Sequence, residues 1–131
     1  MEMLKRDAVF FAVGGVGYGL IEILWRGHTH PTMLLAGGLC FVMFSRIAES
    51  FASAPLICKA VMCAAAVTCV ELAFGLVFNV ILGLGVWDYS DEPYNFMGQI
   101  CPTFAAMWCA LGAVFIPIAE AMNRRLRTTE L

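Results

Sequence analysis

The sequence predicts an all-α integral membrane protein, a bundle of four transmembrane helices in two helical hairpins with the N- and C-termini cytoplasmic. Three observations carry this expectation. Hydrophobic residues make up 61% of the chain and charged residues 14%, whereas a soluble domain carries about 25% charged residues to cover its surface. The 131 residues divide into four apolar stretches, each close to the roughly 20 residues that cross a bilayer core. Lys and Arg also cluster on one side of the implied topology, as the positive-inside rule demands.

The first span is expected over residues 8–25. Lys5 and Arg6 precede it and Trp25-Arg26 ends it, with no small-residue cleavage site, so it reads as a span rather than a signal peptide. The second covers 32–50, with Arg46 and Glu49 at its cytoplasmic end. The third covers 55–84 and starts at the helix-start signal Ser53-Ala54-Pro55. It exceeds what the hydrocarbon requires, so a tilt or a break near Gly83 and Gly85 is expected. The fourth covers 100–119. Together they form a single transmembrane domain, 1–131.

In that topology Lys5, Arg6, Arg46, Lys59, Arg124, Arg125 and Arg127 fall inside, and only Arg26 falls outside. The acidic cluster Asp88, Asp91 and Glu92 then lies outside, which the rule permits. The chain is too short for a nucleotide-binding domain beside four spans, and it contains no Gly-rich Lys-Ser/Thr phosphate loop. Any ATP-driven process therefore needs a separate subunit. The bilayer is the expected surrounding, and no nucleic-acid partner is expected. The six cysteines Cys40, Cys58, Cys63, Cys69, Cys101 and Cys109 lie in or beside apolar runs without a Cys-x-x-Cys pair, which reads as packing. Cys40 and Cys101 are the pair to test for a bridge.

The polar residues inside or capping the spans carry the chemistry. At 100° per residue, Thr68, Glu71, Gly75 and Asn79 share a stripe roughly 80° wide. Glu71 falls near mid-span, where a charged group is costly and faces the bundle interior. Two readings stand: a protonated carboxyl bonded to a neighbouring helix, or a proton- or cation-coupled substrate site. On the first span Gly15, Gly19, Glu22 and Arg26 share a stripe about 60° wide, with Tyr18 on its edge. Gly15 and Gly19 permit close helix approach, and Glu22 and Arg26 can pair at i and i+4. That pair either anchors the helix end or walls a polar cavity.

The first outer loop holds His28 and His30, which with Glu22 or Asp88 can be considered for a metal ion, although no second His or Cys cluster completes a tetrahedral set. The second outer loop holds Trp87, Asp88, Tyr89 and Tyr94, with Asn95 and Gln99 where the fourth helix starts. The aromatic residues fit an interfacial belt, while the amides either cap the helix or point into a cavity. A faint repeat relates the two loops: Trp25 precedes Pro31, and Trp87 precedes Pro93, by the same six residues. Its register places Arg26 opposite Asp88, as a clasp between loops. Ala105, Cys109 and Ala113 form a small-residue stripe suited to the core or to a homo-oligomer seam.

The segments Gly17-Tyr18 … Ile21-Glu22 … Trp25-Arg26, Gly37-Gly38-Leu39-Cys40-Phe41, and Glu71 … Asn79 … Trp87-Asp88-Tyr89-Ser90 … Pro93 … Asn95 … Gly98-Gln99-Ile100-Cys101 resemble the putative ABC-transporter type IV (CmpB-like) family of small bacterial integral membrane proteins. The resemblance covers most of the chain and is densest in the last segment. It implies a permease-like protein of the bacterial inner membrane. The residues then frame three expectations. One is a small-molecule or ion transporter or channel, a homo-oligomer, with Glu22, Arg26, Glu71, Asn79, Trp87, Asp88, Tyr89, Asn95 and Gln99 lining a polar cavity open to the outer face. The others are a membrane-embedded enzyme or metal protein using His28 and His30, and an accessory subunit of a larger complex. No catalytic set and no cofactor is assigned.

Overall fold

The computed structural model describes residues 2–130 and is helical throughout, apart from the loops and an isolated bridge between Phe96 and Ile100. Helix α1 spans Glu2–Arg26, α2 Pro31–Ser50, α3 Leu56–Phe74 and α4 Pro102–Glu130. All four, with α3 counted through its continuation to Ile81, are long and apolar enough to cross a membrane. Helices α1 and α4 begin earlier and end later, respectively, than the expected spans, because the charged flanking residues continue the helix beyond the apolar run. At 1.5 Å per residue, the 29 residues of α4 extend about 43 Å, well past a hydrocarbon core of about 30 Å.

The local sequence accounts for the ends. His30 is extended and caps α2: its Nδ1 accepts the Thr32 amide at 3.2 Å. Pro31 follows at the first helical position, where its missing N–H costs nothing. Helix α3 does not stop at Phe74 but continues as a seven-residue π-helix, Gly75–Ile81. The chain then leaves through Gly83 and Gly85, whose φ values of 67° and 61° lie in the left-handed region that glycine enters freely. The expected break near these glycines is therefore where the helix ends, and the change of helical type precedes it.

Helix α1 packs mainly on α2 and touches α4 only marginally, while α2 also meets α3 and α4, and α3 pairs with α4. The α1–α2 contact is backbone to backbone. A Cβ at Gly15 would sit 2.9 Å from the Leu34 carbonyl oxygen, and one at Gly38 would sit 2.8 Å from that of Phe11. Larger residues there would drive the helices apart. The buried residues of α1 include Gly15, Gly19 and Glu22, three of the four positions in the stripe read from the sequence.

The core gathers Phe10, Phe41, Phe44, Cys63, Trp108 and Ile116 among others. A second cluster of Met33, Val86 and Trp87 packs under the α3–α4 loop. Leu4, Val16, Leu24, Ile57 and Ile81 are exposed, as suits side chains whose solvent is lipid rather than water. Ion pairs sew one end of the bundle together. Glu49 of α2 receives Arg6 of α1 and Arg127 of α4, each at 2.6 Å, Arg46 pairs with Asp7, and Lys59 lies 3.6 Å from Glu120. The start of α1 and the ends of α2 and α4 therefore share this end. Just above it, Ser45 and Asn123 exchange buried hydrogen bonds between α2 and α4.

Candidate functional site

A cavity of about 170 Å³ lies between the two hairpins and is lined by all four helices. Its walls are mostly apolar and carry the aromatic residues Tyr18, Phe41, Phe44, Phe74, Trp87, Trp108 and Phe115, and Glu71 is the one carboxyl among the lining residues. The mouth opens between α1 and α4, where Val13, Ile21 and Ile118 line the cavity and are themselves exposed. The near-absence of α1–α4 contact leaves that opening.

Glu71 is held from two sides. Trp108 Nε1 of α4 donates to Oε1 at 2.8 Å, and the Tyr89 hydroxyl of the α3–α4 loop donates to Oε2 at 2.7 Å. Burial first, and the adjacent Glu71 carboxyl second, push the Tyr89 phenol above its ordinary range, so it keeps its proton. The Tyr89 ring stacks on Phe104, with centroids 4.5 Å apart and planes 4° from parallel, which fixes where the hydroxyl points. No ion pair among the described residues includes Glu71. Both of its bonds come from neutral donors. An indole N–H can only donate, so Oε1 is an acceptor in either protonation state. A hydroxyl both donates and accepts, so the bond at Oε2 can run from Tyr89 to a carboxylate or from a protonated carboxyl to the Tyr89 oxygen, the phenol keeping its own proton in both cases. Both bonds are therefore compatible with either protonation state of the carboxyl.

Over the cavity lies the α3–α4 loop, a hydrogen-bonded plug built from the residues that the sequence singled out. Asn79, carried by the π-helical turn, accepts the Val86 amide at 2.6 Å and donates to Gln99 Oε1 at 2.8 Å. Gln99 packs against Gly75, where a Cβ would come within 2.5 Å of its amide oxygen. The wider i→i+5 turn of a π-helix changes the phase of the residues beyond it. Asn79 thereby joins Gln99 and the loop rather than the cavity wall. Trp87 Nε1 donates to the Gln99 carbonyl at 3.1 Å, and its ring still lines the cavity. Asn95 donates to the Ser90 and Glu92 carbonyls and accepts the Gly98 amide. Asp88 Oδ1 accepts both the amide and the hydroxyl of Ser90, which hold its carboxyl below the usual carboxylate range.

The expected polar lining is thus sorted into separate places. Of the nine residues, Glu71 and Trp87 line the cavity. Tyr89 bonds Glu71, and Asn79, Asp88, Asn95 and Gln99 build the plug. Glu22 and Arg26 form the expected i, i+4 pair at 3.0 Å, with Thr29 donating to Glu22 at 2.8 Å. The expected Arg26–Asp88 clasp is replaced by a different one. Arg26 Nη1 reaches the Val86 carbonyl at 3.1 Å, while Asp88 turns to Ser90. His30 serves as the α2 cap, with His28 two residues before it. Among the described residues no group of three or more His, Cys, Asp or Glu is placed to hold a metal ion. All six cysteines are free.

Trp108 is absent from the residues expected at the site, although a signal exists: an indole in mid-span, away from the interfacial belt, needs a partner for its N–H when buried. The Phe side chains of the wall carry no such signal, because any apolar helix contains them.

Taken together, the four apolar helices and the lipid-suited exterior define a small multi-pass membrane protein with a buried carboxyl beside an apolar cavity. The chain belongs to the family described as Putative ABC-transporter type IV, whose profile matches residues 8–130, nearly its whole length. No curated protein and no solved structure matches it.

Proposed function

We propose that this chain is the membrane-embedded part of a small-molecule transporter in the bacterial inner membrane, with Glu71 as its coupling carboxyl and its termini in the cytoplasm. The observation that carries the reading is a carboxyl in an apolar cavity held by two neutral donors and no basic group. A carboxyl in mid-membrane without a counter-charge is costly, which makes it a functional candidate, for instance for proton transfer. The family description points the same way, toward transport. In this reading the plug closes the outer side. Ligand and proton compete for Glu71, and the Tyr89 bond is remade as the proton leaves. Four helices make a thin wall, so the working unit is a homo-oligomer.

The test uses purified protein in liposomes with a trapped pH dye, an imposed proton gradient, and a panel of single-ring amines, acids and zwitterions. At least one compound should drive proton flux through the wild type and none through Glu71→Gln. A flat response to the whole panel from folded wild-type protein overturns coupled transport. A family description that names an ABC transporter, matched by a chain without a phosphate loop of its own, favours a second reading, an accessory subunit to a separate ATPase. Co-purification of an ATPase with the tagged chain from native membranes, together with that flat response, would establish it.

A further inference from the structure

Resting on the reading of Glu71 as a ligand-facing carboxyl, we infer that the cavity takes a lipophilic organic cation: a single ring or short alkyl group carrying an ammonium. Four observations converge. The walls are aromatic on several sides, through Tyr18, Phe41, Phe74 and Trp108, and aromatic faces attract a desolvated cation. The only carboxyl of the lining has no basic partner, so a ligand supplies the missing positive charge. Tyr18 of α1 and Cys40 of α2 also line the space, and Tyr89 of the loop bonds Glu71; none of these can carry that charge.

The mouth lies between α1 and α4 among the exposed apolar residues Val13, Ile21 and Ile118. A ligand that reaches it dissolves in lipid first. The aqueous side is closed by the plug, whose Trp87 and Gln99 are buried. Size sets the last limit. At about 170 Å³ the cavity resembles the roughly 150 Å³ apolar cavity that accommodates benzene, and a longer tail would extend through the mouth. A carboxyl that pairs with the cation gives up its proton, so cation and proton meet at one group.

The experiment compares benzyltrimethylammonium with neopentylbenzene, its neutral carbon isostere, by calorimetry on protein in nanodiscs with empty nanodiscs subtracted. The cation should bind the wild type at least tenfold more tightly than the isostere. Glu71→Gln should weaken the cation at least tenfold and leave the isostere unchanged. Gly17 lines the cavity, and a Cβ there meets nothing within 4 Å, so Gly17→Leu starts in open space and adds bulk to the cavity. It should weaken both compounds at least tenfold. Equal affinity for the two compounds, or full cation affinity in Glu71→Gln, overturns the inference. If Glu71→Gln fails to assemble, cation affinity unaltered by Gly17→Leu overturns it as well. Tight, Glu71-dependent binding without proton flux supports this site and removes the transport reading. Glu71-dependent flux of an acid or zwitterion, without cation binding, does the reverse.

Discussion

Tyr89 illustrates how a loop residue reaches into the membrane. Its ring is clamped on Phe104, and its hydroxyl reaches Glu71, eighteen positions away in sequence. Tyr89→Phe keeps the ring and removes one hydrogen bond. Interhelical bonds of this kind contribute about 0.6 kcal/mol on average and up to about 1.7 in membranes. Stability measured by SDS titration should fall within that range in wild type and change far less in a Glu71→Leu background, since the two residues share the interaction. The same cost in both backgrounds would show that Tyr89 acts through something other than Glu71. Glu71 itself was legible in the sequence, because a carboxyl in mid-span stands out against apolar neighbours. Its pairing was not, because nothing in the sequence joins Tyr89, expected in the same cavity, to Glu71 as its donor, and Trp108 read as one more apolar residue.

At the scale of elements, the α3–α4 loop is the part whose role changed most. Asn79, Asp88, Asn95 and Gln99 read from the sequence as cavity-lining residues, yet each satisfies backbone groups or another plug residue. A loop folded over an apolar cavity buries backbone groups that must then pair internally, and the amides supply the partners. The Asp88–Ser90 bonds make this pairing sensitive to acid. The folded carboxyl lies below its ordinary range, so its contribution is present above the unfolded pKa, about 4, and is lost as pH falls through the folded value. Hydrogen exchange over residues 87–99 should accelerate as pH drops below about 4, after correction for intrinsic rates. Asp88→Asn should remove that dependence, and an identical acid response in the variant would sink the assignment. The π-helical turn of α3 had no sequence signal beyond Gly75. The phase of Asn79 could be read only as α-helical until the turn was seen.

For the whole molecule, charge placement and packing agree on one polarity. The ion pairs of Glu49, Arg46 and Lys59 tie the basic end together, and the plug and the Glu22–Arg26 pair occupy the other. Under the proposed orientation, a fluorescent protein fused after the C-terminus should fluoresce, and alkaline phosphatase at the same point should be inactive. The opposite pattern would invert the bundle and place the plug in the cytoplasm. Helix α1 rests on α2 and touches α4 only marginally, so the cavity opens sideways between them.

Composition, the four apolar runs and the bias of Lys and Arg were enough to establish a four-helix membrane protein. These are sums over many residues, and the bilayer acts on each span according to its own length and polarity. Spacing on single helices was also enough to identify the buried stripe of α1 and the exceptional position of Glu71. Only the tertiary structure decided that the cavity is apolar and opens sideways, and that Asn79, Asp88, Asn95 and Gln99 form its plug. Which side chains meet depends on how α1 and α4 diverge and how the loop folds back, and no periodicity within one helix contains that information.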